Sequence, residues 1–363
     1  MSYARNEYKR SVAEKVFLVF FLPAVFLMYA VYKYPEVFVY AGLVDDISVF
    51  YLLGKSPAFW YGTLYSGVVC FVAGLVLWRK KSPYKKSKGQ GISKYQYRKF
   101  LSIFLVQLVL LYLLPFYVVP FFQGKALFAD SIAPASRDAY VYVSRAFKSW
   151  SGMGYVFVLV PASVWFFGKR YCSWFCACGN LAEVIGVTKW GSNWVKHKTP
   201  TGATAKRLEH LQTVFLFFGL AYGLVIFFDF LKIFTAQGLL EAGKLFQDLA
   251  VDLIFGALIG VGAYPFLGTR VWCRYGCPLA KMMELQGRYF GSKFQVVAND
   301  KCKGLDLCSQ VCPMGIDVAS FAHKDRKPIM GSFGLMETPC IGCGGCVDIC
   351  PVGALDFGKL KQA

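Results

Sequence analysis

Six stretches of the chain are almost unbroken apolar sequence, and polar, mostly basic segments separate them. They run from about Val16 to Tyr32, Ala58 to Trp78, Phe100 to Phe122, Gly152 to Phe167, Leu211 to Asp229 and Leu249 to Leu267. Most approach the roughly 20 residues that cross about 30 Å of hydrocarbon, and the fourth is the shortest. Lipid offers the backbone no hydrogen-bond partner, so each stretch is expected to be a helix. After Gln295 the apolar runs shorten and the segment lacks the apolar sequence for a large core of its own. The pattern predicts a mainly α protein. A six-helix integral membrane domain covers residues 1–294, and a small C-terminal α+β lobe covers 295–363.

Composition agrees, since 56 % of the 363 residues are hydrophobic, above the roughly 45–50 % of soluble domains. No small-residue cleavage site follows the first apolar run, so that run is expected to be a retained span. The net charge of +19 raises a nucleic-acid reading, and its distribution argues against one. Lys and Arg number 4 before the first span, 9 between spans two and three, 7 between four and five and 12 after span six. The three intervening loops carry only 2, 4 and 2. That alternation is the positive-inside pattern of a multi-pass protein of the bacterial cytoplasmic (inner) membrane, with both termini and the C-terminal lobe cytoplasmic. The basic run from Arg79 to Lys99 is expected to fix topology and touch anionic lipid. The outer loop from Gln123 to Trp150 reads as an interfacial segment without chemistry of its own.

The chemistry lies in the thiols. Of 13 cysteines, Cys70 sits alone in the second apolar run and reads as a buried structural thiol. The others form four groups. Cys340, Cys343, Cys346 and Cys350, followed by Pro351, have the C-x2-C-x2-C-x3-C-P spacing that wraps a cubane iron–sulfur cluster. In that pattern three thiolates hold one cluster and the fourth, before the proline, reaches another. Cys302, Cys308 and Cys312, followed by Pro313, repeat the pattern with Leu305 where the second ligand belongs. Cross-over ligation then places a [4Fe–4S] cluster on Cys340, Cys343, Cys346 and Cys312. Cys302, Cys308 and Cys350 are left for a second cluster. That cluster is [3Fe–4S], or [4Fe–4S] completed by Asp306 or by a ligand from elsewhere. At this size such a lobe is expected to depend on its metal for folding.

A weak internal repeat places the remaining thiols. Gly168-Lys169-Arg170-Tyr171-Cys172 and Gly268-Thr269-Arg270-Val271-Trp272-Cys273 each follow an apolar run. Each continues as C-x3-C, to Cys176 and to Cys277, at the cytoplasmic membrane edge. Four soft ligands suit a further iron–sulfur cluster or a tetrahedral Zn or Fe ion. Cys178 is a further ligand, a replacement or a bystander. Arg170, Arg270 and Arg274 stand close enough in sequence to offset cluster charge. The three histidines, His197, His210 and His323, form no haem-ligating pair within a span, so haem is not expected. A quinone site would need polar groups beside lipid, and Gln107, Asp229, Asp248 and Asp252 are the candidates.

The layout from about Gly152 to Ala363 resembles the membrane-bound polyferredoxins of the NapH, NosR and CcoG types. The resemblance rests on Cys172-x3-Cys176, Cys273-x3-Cys277-Pro278, Cys308-x3-Cys312-Pro313-Met314-Gly315-Ile316-Asp317 and the run from Cys340 to Pro351. It implies electron transfer between the quinone pool, or a cytoplasmic donor, and a partner redox subunit of a membrane complex. The chain departs from the family pattern at Ala177, where a proline is expected, at the extra Cys178 and at Leu305. An assembly factor that reduces a metal or thiol on a respiratory client, and a scaffold with structural metal sites, are the competing readings.

Overall fold

The structure is a computed structural model that describes residues 9–84, 91–124 and 143–359. The first eight residues, the middle of the basic run Arg79–Lys99 and most of the outer loop Gln123–Trp150 lie outside the described residues.

Among the described residues five helices are long and apolar enough to cross a membrane: α1 (Val12–Lys33), α2 (Pro57–Arg79), α3 (Lys94–Phe122), α4 (Trp150–Trp174) and α7 (Gly202–Phe230). Serines start four of them. The Oγ atoms of Ser11, Ser56, Ser93 and Ser149 accept from the backbone N–H groups of Glu14, Phe59, Gln96 and Gly152 at 3.1–3.3 Å, each satisfying one orphan donor of the first turn. Phe20, Phe71, Phe121 and Phe217 on these helices are about two-thirds or more exposed. Outward phenylalanines on apolar helices suit lipid contact rather than water.

The sixth apolar run is broken. Helix α8 (Gln237–Phe246) continues into α9 (Gln247–Ile259), and the chain then turns at Gly260–Ala263 before the short helix Tyr264–Leu267. Glu241, Lys244, Asp248 and Asp252 lie along this helix. The fourth span, read as the shortest, extends to Trp174 across a break at Gly168.

The repeat has a backbone signature. Gly168 and Gly268 both take positive φ, +64° and +82°, one residue after an apolar helix ends. A Cβ at Gly168 would meet the Phe294 ring at 2.8 Å, and one at Gly268 would meet Thr199 Oγ1 at 2.3 Å, so glycine is required at both. After the first C-x3-C come α5 (Ala177–Gly186) and α6 (Lys189–Lys198); after the second comes α10 (Pro278–Phe290).

The C-terminal lobe holds an antiparallel three-stranded sheet, with β1 (Phe294–Ala298) between β2 (Ser332–Gly334) and β3 (Leu355–Lys359). Val296 pairs with Phe333 on one side and Phe357 on the other. Phe294, Val296 and Ala298 face the core, following the period of two. Two short helices, α11 (Leu307–Gln310) and α12 (Gly345–Ile349), carry cysteine runs.

One continuous buried core joins the lobe to the helix ends, including Cys172, Met283, Phe294, Ile341 and Cys340. Polar contacts fix the docking. Tyr95 hydroxyl donates to the carbonyl of Gly342, and Gln96 Nε2 donates to that of Cys343 at 3.1 Å. Ser173 Oγ donates to the Ile341 carbonyl at 2.8 Å, and Ser82 Oγ to the Asp348 carboxylate. The Arg170 guanidinium lies 4.3 Å from the Phe294 ring centre. The lobe therefore sits on one end of the bundle, where α2 and α4 finish and α3 begins.

Candidate iron–sulfur centre

Cys312, Cys340, Cys343 and Cys346 line one small cavity in the lobe, walled by Met314, Ile341 and Phe333. Cys312 comes from the other cysteine run, as cross-over pairing expects. Conversely, Cys308 interacts electrostatically with Cys350 and Cys302. Gly342 and Gly344 adopt φ of +60° and +75°, which brings backbone close to the thiols. The N–H of Gly342 donates to Cys340 Sγ at 3.4 Å, and that of Ala354 to Cys350 Sγ at 3.2 Å. Such N–H···S contacts tune cluster sulfurs. Burial pushes the free thiol of Cys343 up to about 11 and those of Cys340 and Cys308 up to about 12. Loading with iron would therefore release protons. The donor set, enclosure and N–H groups fit a cubane.

Leu305 is half exposed. Asp306, with φ of +54°, holds its Oδ1 2.6 Å from His323 Nε2. That carboxylate would have to leave His323 to reach an iron.

The membrane-edge thiols also converge. Cys277 interacts electrostatically with Cys176, Cys172 and Cys273. Cys172, Cys273 and Cys277 are buried, and Cys172 Sγ lies 4.0 Å from Met283 Sδ. From α7, Gln212 Nε2 donates to the carbonyls of Cys273 at 3.0 Å and Cys277 at 2.9 Å. Among the described residues no three His, Cys, Asp or Glu side chains close around a single ion. A cubane spreads its four thiolates over more space than one ion does.

Several important residues left no mark in the sequence pattern. Lys99 belongs to the basic run assigned to lipid, and that expectation fails for it: it is fully buried. Its Nζ donates to the Cys343 carbonyl at 2.9 Å and to Glu183 Oε2 at 2.9 Å. Glu183 in turn pairs with Arg270, whose Nη1 donates to the Cys172 carbonyl at 2.9 Å and lies 3.6 Å from Cys273 Sγ. Burial alone would push the Glu183 carboxyl up, but Lys99 and Arg270 outweigh it and hold the group below the usual carboxylate range. Lys169 is also fully buried, with Glu284 at 3.8 Å. Of the other arginines in the repeat, Arg274 Nε donates to Glu209 at 2.9 Å.

Cys178 does not face the lobe. It lines a cavity between the spans with Tyr29, Tyr61, Tyr65, Gln107 and Asp252. Tyr61 hydroxyl bonds that of Tyr29 at 3.1 Å, and Tyr65 hydroxyl donates to the Ala177 carbonyl at 2.7 Å. Gln107 is buried; its Nε2 donates to Ser66 Oγ at 2.9 Å, while its Oε1 has no partner among the described residues. Asp252 pairs with Lys33. Asp229 instead accepts from Thr235 Oγ1 at 2.8 Å in an exposed position, and the Asp248 carbonyl accepts from Tyr34 hydroxyl at 2.9 Å. Cys70 Sγ faces the Phe104 carbonyl at 3.9 Å.

Comparison with known proteins follows this geometry. A 4Fe-4S binding domain matches residues 336–356, and a second 4Fe-4S binding domain matches twice, at 151–200 and 249–296. The double match falls on the two C-x3-C halves. The ferredoxin-type protein NapH of Escherichia coli is 21 % identical over 190 residues, which is 50 % of this chain and 60 % of NapH. The methylamine utilization ferredoxin-type protein MauN of Methylobacillus flagellatus is 24 % identical over 161 residues, 43 % of this chain and 52 % of MauN. The chain is similar to membrane-bound ferredoxin-type proteins. An uncharacterized protein of Methanocaldococcus jannaschii is 26 % identical to it over 195 residues, 54 % of the chain and 66 % of the relative. The chain thus spans about half to two-thirds of the length of these curated relatives. No solved structure matches it.

Proposed function

We propose that this protein is a membrane polyferredoxin that passes electrons one at a time between a quinol in the membrane and a redox partner at the cytoplasmic face. In this reading Cys340, Cys343, Cys346 and Cys312 hold a [4Fe–4S] cluster. Cys302, Cys308 and Cys350 hold a second cluster, and Cys172, Cys176, Cys273 and Cys277 a third. The lobe from residue 295 is a distinct cytoplasmic unit. The continuous helix Gln237–Ile259 serves as a sixth span, and both termini face the cytoplasm.

One observation carries the reading: the membrane-edge thiols stand between the lobe thiols and the tyrosine-lined cavity. Ala177 and Trp272, neighbours in sequence of Cys176 and Cys273, both line that cavity. The unpartnered Gln107 Oε1 is an acceptor in an apolar setting, where a missing donor is costly. A hydroquinone hydroxyl would supply one. Oxidation of the quinol gives the quinone, two protons and two electrons. The clusters accept the electrons, the Asp252 carboxylate can take up one proton, and the second leaves to water, with the tyrosine hydroxyls and Gln107 hydrogen-bonding the quinol rather than holding its protons.

The test uses the whole protein, reconstituted anaerobically in lipid nanodiscs. A short-chain menaquinol analogue should reduce the clusters, followed by low-temperature EPR, and Gln107→Leu should slow that reduction at least tenfold. Clusters that dithionite reduces but quinol does not would overturn the quinol assignment.

A further inference from the structure

The lobe site and the membrane-edge site share buried charge. A single polar path runs from the Cys343 carbonyl through Lys99 Nζ and both oxygens of Glu183 to Arg270, and ends on the Cys172 carbonyl and beside Cys273 Sγ. Its three charged side chains come from α3, α5 and the second repeat half. All are at least nine-tenths buried, with side-chain exposures of 0 %, 3 % and 1 %. Lys169 makes a second link. Its ammonium has no hydrogen-bond partner among the described residues, yet it interacts electrostatically with Cys172, Cys273 and Cys340. Glu284, 3.8 Å from that ammonium, is its carboxylate partner and is shared with Lys281 and Arg288, so a thiolate-ligated cluster on either side would sit in the same field of buried positive charge.

We propose that Glu183, held between Lys99 and Arg270, is a positioning residue that sets the reduction potentials of the lobe cluster and the membrane-edge cluster together. The inference rests on the reading that both sites hold clusters. Each electron that enters a cluster adds one negative charge. In a dry interior that charge is felt by groups near both sites, because screening there is weak. Lys99 and Arg270 favour the reduced forms, and Glu183 opposes them while fixing both cations in place. A network of this kind has no purely structural need to touch both cysteine sets. Replacing a buried ion pair with well-packed apolar residues is often neutral or stabilising.

The sign of the charge change separates electrostatics from structural damage. Glu183→Gln removes a negative charge and should raise the midpoint potential of both clusters. Lys99→Met removes a positive charge and should lower both. Each shift is expected to change the reduction equilibrium at least tenfold, which is about 59 mV for a one-electron couple. Glu183→Asp should return both potentials toward wild type.

The measurement is EPR-monitored redox titration of the full-length protein in nanodiscs, with iron content determined on the same sample. If Glu183→Gln fails to assemble, Lys99→Met provides the test, since Glu183 then keeps Arg270. Midpoints that do not move, that move at one site only, or that move in the same direction in both variants overturn the inference and leave the functional reading intact. A wild-type protein with no membrane-edge cluster signal overturns both.

Discussion

Gln212 clamps the second C-x3-C from a different helix, and its replacement should empty one site selectively. Gln212→Leu nearly conserves volume, so little cavity is left and the main effect is on hydrogen bonding. Two bonds are lost, to the carbonyls of Cys273 at 3.0 Å and Cys277 at 2.9 Å. Each is worth roughly 1 kcal/mol net. The Cys277 carbonyl keeps the bond it accepts from the Lys281 N–H at 3.2 Å, so the desolvation penalty falls mainly on Cys273. One buried carbonyl left short of a partner costs roughly 1–3 kcal/mol. The total, about 3–5 kcal/mol, is concentrated on the segment that aims Cys273 and Cys277. The assay is iron content with EPR of the dithionite-reduced protein. The membrane-edge signal should fall, and the lobe signal should persist because Gln212 touches none of its residues. Full retention of membrane-edge iron with an unchanged unfolding midpoint would refute the argument that Gln212 holds the site together.

Three further outcomes are expected. Cys312→Ser should remove the cluster of Cys340, Cys343 and Cys346 while sparing that of Cys302 and Cys308, and Cys350→Ser should do the reverse; EPR of each variant decides, and the opposite pairing rules out the cross-over. Gly342→Ala should destabilise the lobe by about 2–5 kcal/mol in chemical unfolding. The left-handed backbone costs roughly 1–2 kcal/mol, and overlap with Arg170 Cγ, 2.8 Å from the new Cβ, roughly another 1–3. Burial of Glu284 alone would raise its carboxyl, but Lys169 and Lys281 outweigh burial and hold it below the usual range. Its stabilisation is therefore present above the ordinary carboxylate value of about 4.3 and is lost as pH falls through the lower folded value. Denaturation midpoints measured from about pH 6 to pH 3 should fall less in Glu284→Gln than in wild type.

The cysteine spacing carried most of what could be read in advance. Ligand spacing is local, so Cys340 to Pro351 and the two C-x3-C halves announce themselves without any fold. Apolar length did the same for the membrane segments. The sixth run was harder. Its hydropathy is continuous, but the chain turns at Gly260–Ala263, where a Cβ on Gly260 or Gly262 would overlap a backbone oxygen at 2.2 Å. The Lys99–Glu183–Arg270 path could not have been read, because its members lie 84 and 87 residues apart and no period connects them. A lysine in a basic loop looks the same in sequence whether it meets lipid or a buried carboxylate. The tyrosine cavity is a similar case. Tyr29, Tyr65 and Gln107 lie on three different helices, each unremarkable in its own apolar run.

The two C-x3-C halves have a consequence for biogenesis. Cys172 and Cys176 leave the ribosome about a hundred residues before Cys273 and Cys277, and helix α7, with the clamp Gln212, lies between them. The first pair has no complete set of partners until α7 and the segment behind it have entered the bilayer. Cys340 and its neighbours emerge later still and need the ends of α3 and α4 to dock against. If the four membrane-edge thiols hold one cluster, that cluster can be completed only after the second glycine turn has been made, and a chain stalled before it would offer only half a nest.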